Sequence, residues 1–408
     1  MKKIELLAPA GDLERLKIAV MYGADAVYLG GKQFSLRSRA SNFEIADIKE
    51  GVDFAKQYGA HVHVTVNMLP HEEDLHGLRT YLETLEEIGV TAIICASPAI
   101  AMCAKEVAPG LEVHLSTQHS STNSAAIAYW KAFGVDRVVL ARELSLEEII
   151  ETTKHSCLAT EVFIHGGMCI SYSGRCVLSN HMTGRDANRG GCAQSCRWKY
   201  RLFEDDIPLH NEKDLFSMSS KDLMAARFIS DLIAANVASL KIEGRMKSAY
   251  YIATLIHTYR MLIDEIYAHG RLDDKRMDWY CKELAKAENR PTGPGFYLGL
   301  PKAQDHLYGV NGAGVTGEFI AYVLAYDAQS HKAVLEVRNK FTSGMQAEVF
   351  GPHIGNSSFV IDTIYDEAGT VLETANQPMS IVYIYVDVPM EKDAMIRKLV
   401  EKDRSDIY

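Results

Sequence analysis

The chain has 408 residues, of which 47% are hydrophobic and 24% charged, and this composition excludes an intrinsically disordered protein. Forty-three Lys and Arg oppose 53 Asp and Glu, so the formal net charge is −10. Such a balance excludes a protein that coats nucleic acid or membranes through general positive charge, although it allows one local basic patch. The length predicts roughly two to three domains.

Neither a signal peptide nor a membrane span is predicted. The apolar run at the start is too short for a signal peptide, and no stretch reaches the roughly 18 uncharged apolar residues of a span. We therefore expect a cytoplasmic protein without a membrane partner, whose thiols stay reduced unless they bind metal.

Short β-branched runs alternate with amphipathic helical patterns as far as about residue 290. Helix 12–22, with Asp12 as its N-cap, and helix 44–58 are examples. Eight such strand–helix units predict a TIM-like (β/α)8 barrel, and residues 1–295 form the predicted catalytic domain. A doubly wound sheet is the alternative, but its glycine-rich first turn is missing. The predicted strands are 4–8, 26–30, 61–67, 92–95, 112–117, 137–141, 161–165 and 239–243.

The regular spacing breaks once, between the seventh and eighth predicted strands. Residues 166–215 are rich in Cys and Arg and have little apolar periodicity, which predicts an insertion at the C-terminal face, where TIM-barrel active sites lie. After a linker at 296–309, alternating strand patterns predict a small all-β barrel over 310–390. The charged segment 391–408 is expected to be a helical tail.

Four of the eight cysteines fall within 28 residues, with the spacing C-x6-C-x15-C-x3-C. A shared metal site is favoured over four unrelated core thiols, because the segment is glycine-rich and not periodic. Zinc and iron–sulfur clusters both take thiolate ligands, and the spacing leaves both open. A radical-SAM motif is disfavoured because residue 199 is Lys. The clustered cysteines are Cys169, Cys176, Cys192 and Cys196.

The same segment is locally basic, with six Lys and Arg against one Asp between residues 165 and 201. These charges either compensate thiolates or bind a phosphate-bearing substrate, for which Arg185 and Arg189 are candidates. The interleaved Tyr172, Trp198 and Tyr200 suit stacking on unpaired bases.

Further polar residues follow the predicted barrel strands, where their side chains point into one cavity. Arginines there suit a small anionic ligand, because a guanidinium binds a carboxylate through two hydrogen bonds. The candidate catalytic residues are Asn67, His165 and Glu243, and the candidate substrate-binding residues are Arg37, Arg39, Gln118, Arg142 and Arg245.

No protease motif is present. The G-x-S-x-G elbow is missing, and His71 and His76 are five residues apart, not the four of a zincin helix.

Several motifs resemble the collagenase-like peptidase family of unknown catalytic type, family 32 of the U class. They are segments 7–12, 23–28, 137–143, 161–169, 173–179 and 241–247, and the resemblance covers nearly the whole chain. Better-understood members are oxygen-independent hydroxylases of RNA bases or ubiquinone precursors that hold a 4Fe-4S cluster on four cysteines. The resemblance thus implies a 4Fe-4S cluster on the four clustered cysteines, with zinc as the alternative.

The domain layout is most similar to the tRNA hydroxylation members, which convert the wobble uridine to 5-hydroxyuridine and depend on prephenate. The resemblance therefore implies tRNA and prephenate, or a similar dicarboxylate, as substrates. A collagenase-like peptidase is the alternative. A non-catalytic subunit that pairs with a homologous chain is the third possibility.

Overall fold

The computed structural model of the protein describes residues 3–36, 42–209, 215–287, 290–307 and 317–399. Seven parallel strands come first, and each pairs with its predecessor along the chain. They are β1 (Glu5–Pro9), β2 (Ala26–Gly30), β3 (His61–Val66), β4 (Ala92–Cys95), β5 (Glu112–Leu115), β6 (Arg137–Val139) and β7 (Ala159–Gly166). The helices between them are α1 (Leu13–Met21), α2 (Ile45–Gln57), α3 (Leu78–Glu87), α4 (Pro98–Val107), α5 (Ser124–Lys131) and α6 (Leu146–His155).

The start of α1 shows how local sequence places these elements. The Asp12 side chain accepts a hydrogen bond from the Arg15 backbone N–H at 2.9 Å, which confirms the predicted N-cap. Leu16, Ala19 and Val20 then bury one face of the helix against the barrel. Parallel strands that are covered by helices in this way are continuous apolar runs in the sequence. Strand β2 is accordingly buried at every position.

The insertion follows β7. It contains the short helix α7 (Leu178–Thr183) and an exposed two-stranded hairpin of β8 (Phe203–Glu204) and β9 (Ile207–Pro208). The chain then returns as β10 (Asp222–Met224), which pairs antiparallel with the end of β7, where Leu223 faces Gly166. This pairing brings the end of the insertion back to the C-terminal end of the barrel.

The eighth barrel strand is β11 (Ser239–Ile242), which pairs in parallel with both β1 and β7 and closes the sheet. Helix α8 (Ile229–Ala234) precedes it, and α9 (Ala249–His269), α10 (Asp274–Ala285) and β12 (Thr292–Gly293) follow. The predicted TIM-like barrel with an insertion after its seventh strand is therefore confirmed. Every predicted strand overlaps an observed one. None of the described helices has the length and apolar character that a membrane crossing requires.

A buried ionic network joins four strands at the N-terminal end of the barrel. Lys241 Nζ lies 2.7 Å from Glu161 Oε1, and Arg137 Nη1 lies 3.1 Å from Glu161 Oε2 and 2.5 Å from Glu5 Oε1. Burial alone would raise the pKa of Glu161, but Lys241 and Arg137 hold it at about 2. These paired charges occupy the N-terminal end of the barrel, so a ligand would bind at the opposite, C-terminal end.

The C-terminal domain is all-β, as predicted, and has its own hydrophobic core. Eight of its strands form one antiparallel sheet in the order β17-β16-β22-β13-β14-β21-β18-β19, and β15 pairs with β20. The sheet is a half-barrel, which agrees with the small all-β barrel domain that the sequence predicts. The strands are β13 (Gly317–Asp327), β14 (Lys332–Val337), β15 (Phe341–Thr342), β16 (Met345–Phe350), β17 (Ser357–Ile361), β18 (Ile364–Asp366), β19 (Val371–Leu372), β20 (Thr374–Ala375), β21 (Ile381–Tyr385) and β22 (Met395–Leu399).

The predicted helical tail over 391–408 is wrong for its described part. Met395–Leu399 forms β22 in the middle of the sheet, between β13 and β16. The local excess of charge suggested a solvated helix, but Arg397 is only 1% exposed because it is paired with buried acids. Residues 400–408 lie outside the described residues.

Arg397 also joins the two domains. Its Nε lies 2.7 Å from Glu348 Oε2 within the sheet, and its Nη2 lies 2.7 Å from Glu283 Oε2 of α10. Nearby, the Tyr22 hydroxyl at the end of α1 donates to the Asp393 carbonyl at 2.8 Å. In the predicted linker at 296–309, Tyr297 is buried and donates to the Phe163 carbonyl of the barrel at 2.8 Å. The sheet and this connection are thus packed firmly on the barrel.

Candidate functional site

Arg142 and Glu243 meet at the C-terminal mouth of the barrel, where β6 and β11 end. Arg142 Nη1 donates to the Gly167 carbonyl at 2.7 Å, and its guanidinium lies 3.7 Å from the centre of the Phe163 ring. Its Nη2 is 3.9 Å from Glu243 Oε2, which is 3.3 Å from the Tyr28 hydroxyl. The pair therefore presents one cation and one carboxylate, both held in place, to the cavity.

Arg245 lies deeper, on the β2–β3 side of the mouth, and is 6% exposed. It donates to Asn42 Oδ1 at 2.8 Å, to Ser35 Oγ at 3.2 Å and to Thr65 Oγ1 at 3.4 Å. A Cβ at Gly30 would lie 2.1 Å from Arg245 Nη2, so only glycine leaves room for this side chain. The Arg245 guanidinium thus fills a close-fitting pocket inside the barrel, and this pocket fixes its orientation.

Asn67 and Gln118 connect the ends of β3 and β5. Asn67 Nδ2 donates to Gln118 Oε1 at 2.9 Å, and Asn67 Oδ1 accepts from the Leu36 backbone N–H at 3.2 Å. The Gln118 carbonyl accepts a hydrogen bond from Arg175 Nε of the insertion. Both predicted residues lie at the mouth, where they cross-link the rim and tie the insertion to it.

His165 lies inside the barrel wall. It is 1% exposed, and its Nδ1 is hydrogen-bonded to the Tyr259 hydroxyl of α9 at 3.0 Å. Its ring makes edge-to-face contacts with Tyr251 and Tyr259. This placement favours a structural role over the catalytic contact that the sequence suggested, because strand β7 turns the side chain away from the cavity and towards the helix.

The four clustered cysteines are all described, and all are free thiols. Burial raises the pKa of Cys196, Arg197 opposes this shift, and Cys169, Cys192 and Cys176 raise the pKa further. Hydrogen bonds tie the stretches that carry these cysteines to one another. Arg197 Nη2, next to Cys196, donates to the Met168 carbonyl, next to Cys169, at 3.4 Å, and the Ala193 N–H, next to Cys192, donates to Ser179 Oγ at 3.0 Å. The segment is thus folded back on itself, although up to 27 residues separate its cysteines in the chain.

Cys169 links this group of thiols to the barrel mouth. Desolvation at the mouth raises the pKa of its thiol, although the residue as a whole keeps solvent contact. Arg142 lowers this pKa and Glu243 raises it. Arg142 Nη1 also donates to the Gly167 carbonyl, two residues before Cys169, at 2.7 Å, so a group held by Cys169 would lie near the Arg142–Glu243 pair.

The donor set can be compared with the groups that it was predicted to hold. Among the described residues, no three or more His, Cys, Asp or Glu side chains are arranged around a single-ion site. With Zn–S bonds of about 2.3 Å, a zinc site would need its sulfurs within ~4 Å of one another. A 4Fe-4S cluster also takes four thiolates, so the chemistry of this all-thiol donor set suits either group.

Glu143 anchors the cysteine segment to the barrel. Its Oε1 accepts the Ser173 backbone N–H at 2.6 Å, and its Oε2 accepts the Ser173 hydroxyl at 2.6 Å. Ser173 has φ of +46°, a left-handed conformation that is strained for a residue other than glycine. The sequence did not predict this anchoring role, and the one signal available was that Glu143 follows a barrel strand.

Two family models match the chain, one described as peptidase family U32 over residues 11–307 and the other as the C-terminal domain of that family over 316–397. The chain belongs to peptidase family U32. This confirms the resemblance that the sequence motifs indicated.

Three curated relatives show the range of names in the family. The chain is 48% identical over 402 residues to tRNA hydroxylation protein P1 of Bacillus subtilis, covering 97% of this chain and 95% of that protein. It is 33% identical over 393 residues to a collagenase of Porphyromonas gingivalis, covering 92% and 94%. It is 39% identical over 265 residues to the 23S rRNA 5-hydroxycytidine C2501 synthase of Escherichia coli, covering 65% of this chain and 40% of that enzyme.

The predicted basic residues of this U32 protein have different placements. Arg189 Nη2 lies 2.8 Å from Asp74 Oδ2 and 3.6 Å from Glu73 Oε1, so its charge ties the insertion to the β3–α3 connection. Arg185 is half-buried, and within the described part of the chain its Nε has no hydrogen-bond partner. Arg37 and Arg39 lie outside the described residues.

Proposed function

We propose that this U32 protein is an RNA-modifying hydroxylase that acts on tRNA. The names of the B. subtilis and E. coli relatives support RNA hydroxylation. The observation that carries the proposal is that the start of the cysteine segment is bonded to the barrel mouth, where Arg142 Nη1 donates to the Gly167 carbonyl at 2.7 Å beside Glu243. Hydroxylation of a base requires a redox-active group next to a polar site. It requires no peptidase mechanism. The RNA substrate would be met in the cytoplasm.

The finer proposal is that Cys169, Cys176, Cys192 and Cys196 hold a 4Fe-4S cluster. When bound, such a cluster would supply one-electron redox chemistry at the barrel mouth. The chain's own contribution is electrostatic, because Arg197 acts on the thiols of Cys169 and Cys196 and Arg142 acts on Cys169. Positive charge at these positions favours the thiolate forms that bind iron.

We further propose the C5 atom of the wobble uridine as the target and prephenate, or a similar dicarboxylate, as co-substrate. Arg142 and Arg245 are the candidates for carboxylate binding, because both guanidinium groups are held at the mouth by the hydrogen bonds described above. Glu243, between Arg142 and Tyr28, is the candidate catalytic carboxylate at the mouth. An anticodon-loop nucleotide leaves its stack at little cost, so it can reach such a cavity.

The proposal is tested by purifying the protein without oxygen and measuring iron, acid-labile sulfide and zinc. We expect about four irons and four sulfides per chain, lost in Cys169→Ser and Cys192→Ser. Cys157→Ser is the matched control, because Cys157 is an exposed thiol outside the insertion. In cells that lack the gene, the wild-type chain should restore 5-hydroxyuridine in tRNA and the two cluster variants should not. One zinc without sulfide would reject the cluster, and unchanged tRNA nucleosides would reject the activity.

The collagenase relative keeps a peptidase as the second candidate, because it is similar over nearly the full length of both chains. Cleavage of gelatin by iron-free protein, retained in Cys169→Ser, would favour that function over RNA hydroxylation.

A further inference from the structure

Three cations converge on one buried carboxylate beside the cysteine segment. Arg290 Nη1 lies 3.3 Å from Asp222 Oδ1, Arg197 Nη1 lies 3.9 Å from the same oxygen, and Lys247 Nζ lies 3.9 Å from Asp222 Oδ2. A Cβ at Gly167 would be 3.0 Å from Arg197 Nη2 and 3.8 Å from Asp222 Oδ1, so the cluster borders the start of the cysteine segment.

The groups of this cluster lie at different depths below the protein surface. The Asp222 side chain is 5% exposed, whereas the side chains of Arg197, Arg290 and Lys247 are 20%, 26% and 33% exposed. The carboxylate therefore lies beneath Arg290 and Lys247, which reach solvent above it, while Arg197 Nη1 is buried beside it. Among the described residues of this cluster, one carboxylate faces three cations on a protein of net charge −10.

Four separate segments build this cluster. Asp222 begins β10, Arg290 precedes β12, Lys247 lies between β11 and α9, and Arg197 belongs to the cysteine segment. The pairing of β10 with β12 fixes Asp222 relative to Arg290, and the Tyr251 ring, 4.8 Å from Lys247 Nζ, supports the lysine.

Arg197 is the one of these three cations that belongs to the cysteine segment, since it follows Cys196 directly. Lys247 and Arg290 come from other segments, and among the described residues their ion-pair partner is Asp222, which both share with Arg197.

We propose that Arg197, Lys247 and Arg290, oriented by Asp222, bind the phosphodiester backbone of the RNA next to the modified base. Guanidinium and ammonium groups at a solvent-facing rim are the usual partners of nucleic-acid phosphates. Trp198 follows Arg197 directly and is 42% exposed, which offers a stacking surface for an adjacent unpaired base. This inference rests on the proposed RNA substrate and assigns the residues that hold its backbone.

The test is binding of a fluorescently labelled anticodon stem–loop RNA, measured by anisotropy over a series of salt concentrations. Lys247→Ala and Arg290→Gln should each weaken binding about fivefold and reduce the slope of log K against log salt by about 0.7 to 0.9. Lys247→Arg should restore the slope. Lys154→Ala is the matched control, because Lys154 is a 68% exposed cation on α6, and it should change neither quantity. Thermal unfolding of every variant separates lost contacts from lost folding.

The outcomes are distinguishable. If the wild type binds and hydroxylates tRNA while folded Lys247→Ala and Arg290→Gln bind with unchanged slope, the phosphate site is overturned and the proposed function stands. If the wild type binds no RNA, both are overturned. If the variants lose binding of malonate, used as a small dicarboxylate probe, and keep the RNA slope, the cluster is a small-anion site and the proposal fails.

Discussion

Replacement of Glu143 by alanine should release the cysteine segment from the barrel while the fold persists. The carboxylate accepts two hydrogen bonds of 2.6 Å from Ser173, and each hydrogen bond to a charged group contributes about 1.5 to 3 kcal/mol. Glu143 is partly exposed, so we take the lower end, or about 3 kcal/mol for both bonds. The equilibrium for local opening of the segment should then rise about 100-fold.

The assay is the rate at which Cys176, a half-buried thiol of the segment, reacts with a thiol reagent in metal-free protein. When closing is faster than reaction, this rate follows the opening equilibrium. Ser173→Ala removes only the hydroxyl bond and keeps the backbone bond, so its increase should be about tenfold. Glu147→Ala removes the same charge from an exposed position of α6 and should leave the rate unchanged.

Equal labelling rates in wild type and Glu143→Ala would refute the anchoring role. The same conclusion would follow if the rate rose only together with global unfolding, since the bonds would then stabilise the whole barrel rather than the segment.

Two further predictions concern stability. Arg397→Met removes one of the two cations that buried Glu348 and Glu283 share, the other being Lys286, and should lower the free energy of unfolding in urea by about 3 kcal/mol. Arg271→Met, at a 66% exposed ion pair, should cost under about 1 kcal/mol, and similar losses would contradict the buried network. Burial lowers the pKa of His63 to about 3, so acid protonates the unfolded chain first. The contribution of this histidine to the free energy of unfolding is complete above pH 6.5 and is about 1.4 kcal/mol smaller at pH 5.5. His63→Gln should flatten this part of the pH profile of stability. An unchanged profile would assign the pH dependence to other groups.

The strand–helix alternation was predictable because each parallel strand is buried on both faces by local neighbours, which leaves a continuous apolar run in the sequence. The N-cap at Asp12 could also be predicted, since a cap involves residues that are only three apart in the chain. Spacing also separated the four clustered cysteines from the remaining four, because a metal-binding segment lacks the apolar periodicity of a core.

The roles of individual polar residues were less predictable. Asn67, Gln118, Arg142, Glu243 and Arg245 lie at the mouth as expected, because the C-terminal ends of barrel strands meet there. The partners of each side chain could not be inferred, since those partners come from distant segments. Arg189, for example, is paired with Asp74, 115 residues away.

Local sequence patterns were enough to predict the alternating strands and helices, the all-β C-terminal part and the four-cysteine segment of this protein. The tertiary structure alone decided which charges meet. In the folded chain His165 is buried in the barrel wall, and Arg397 lies in a central strand rather than in the expected helix. Lys247 and Arg290 both lie close to Asp222. The physical reason is that periodicity and capping act over a few residues, whereas charge pairing acts through space between segments that only the closed barrel brings together.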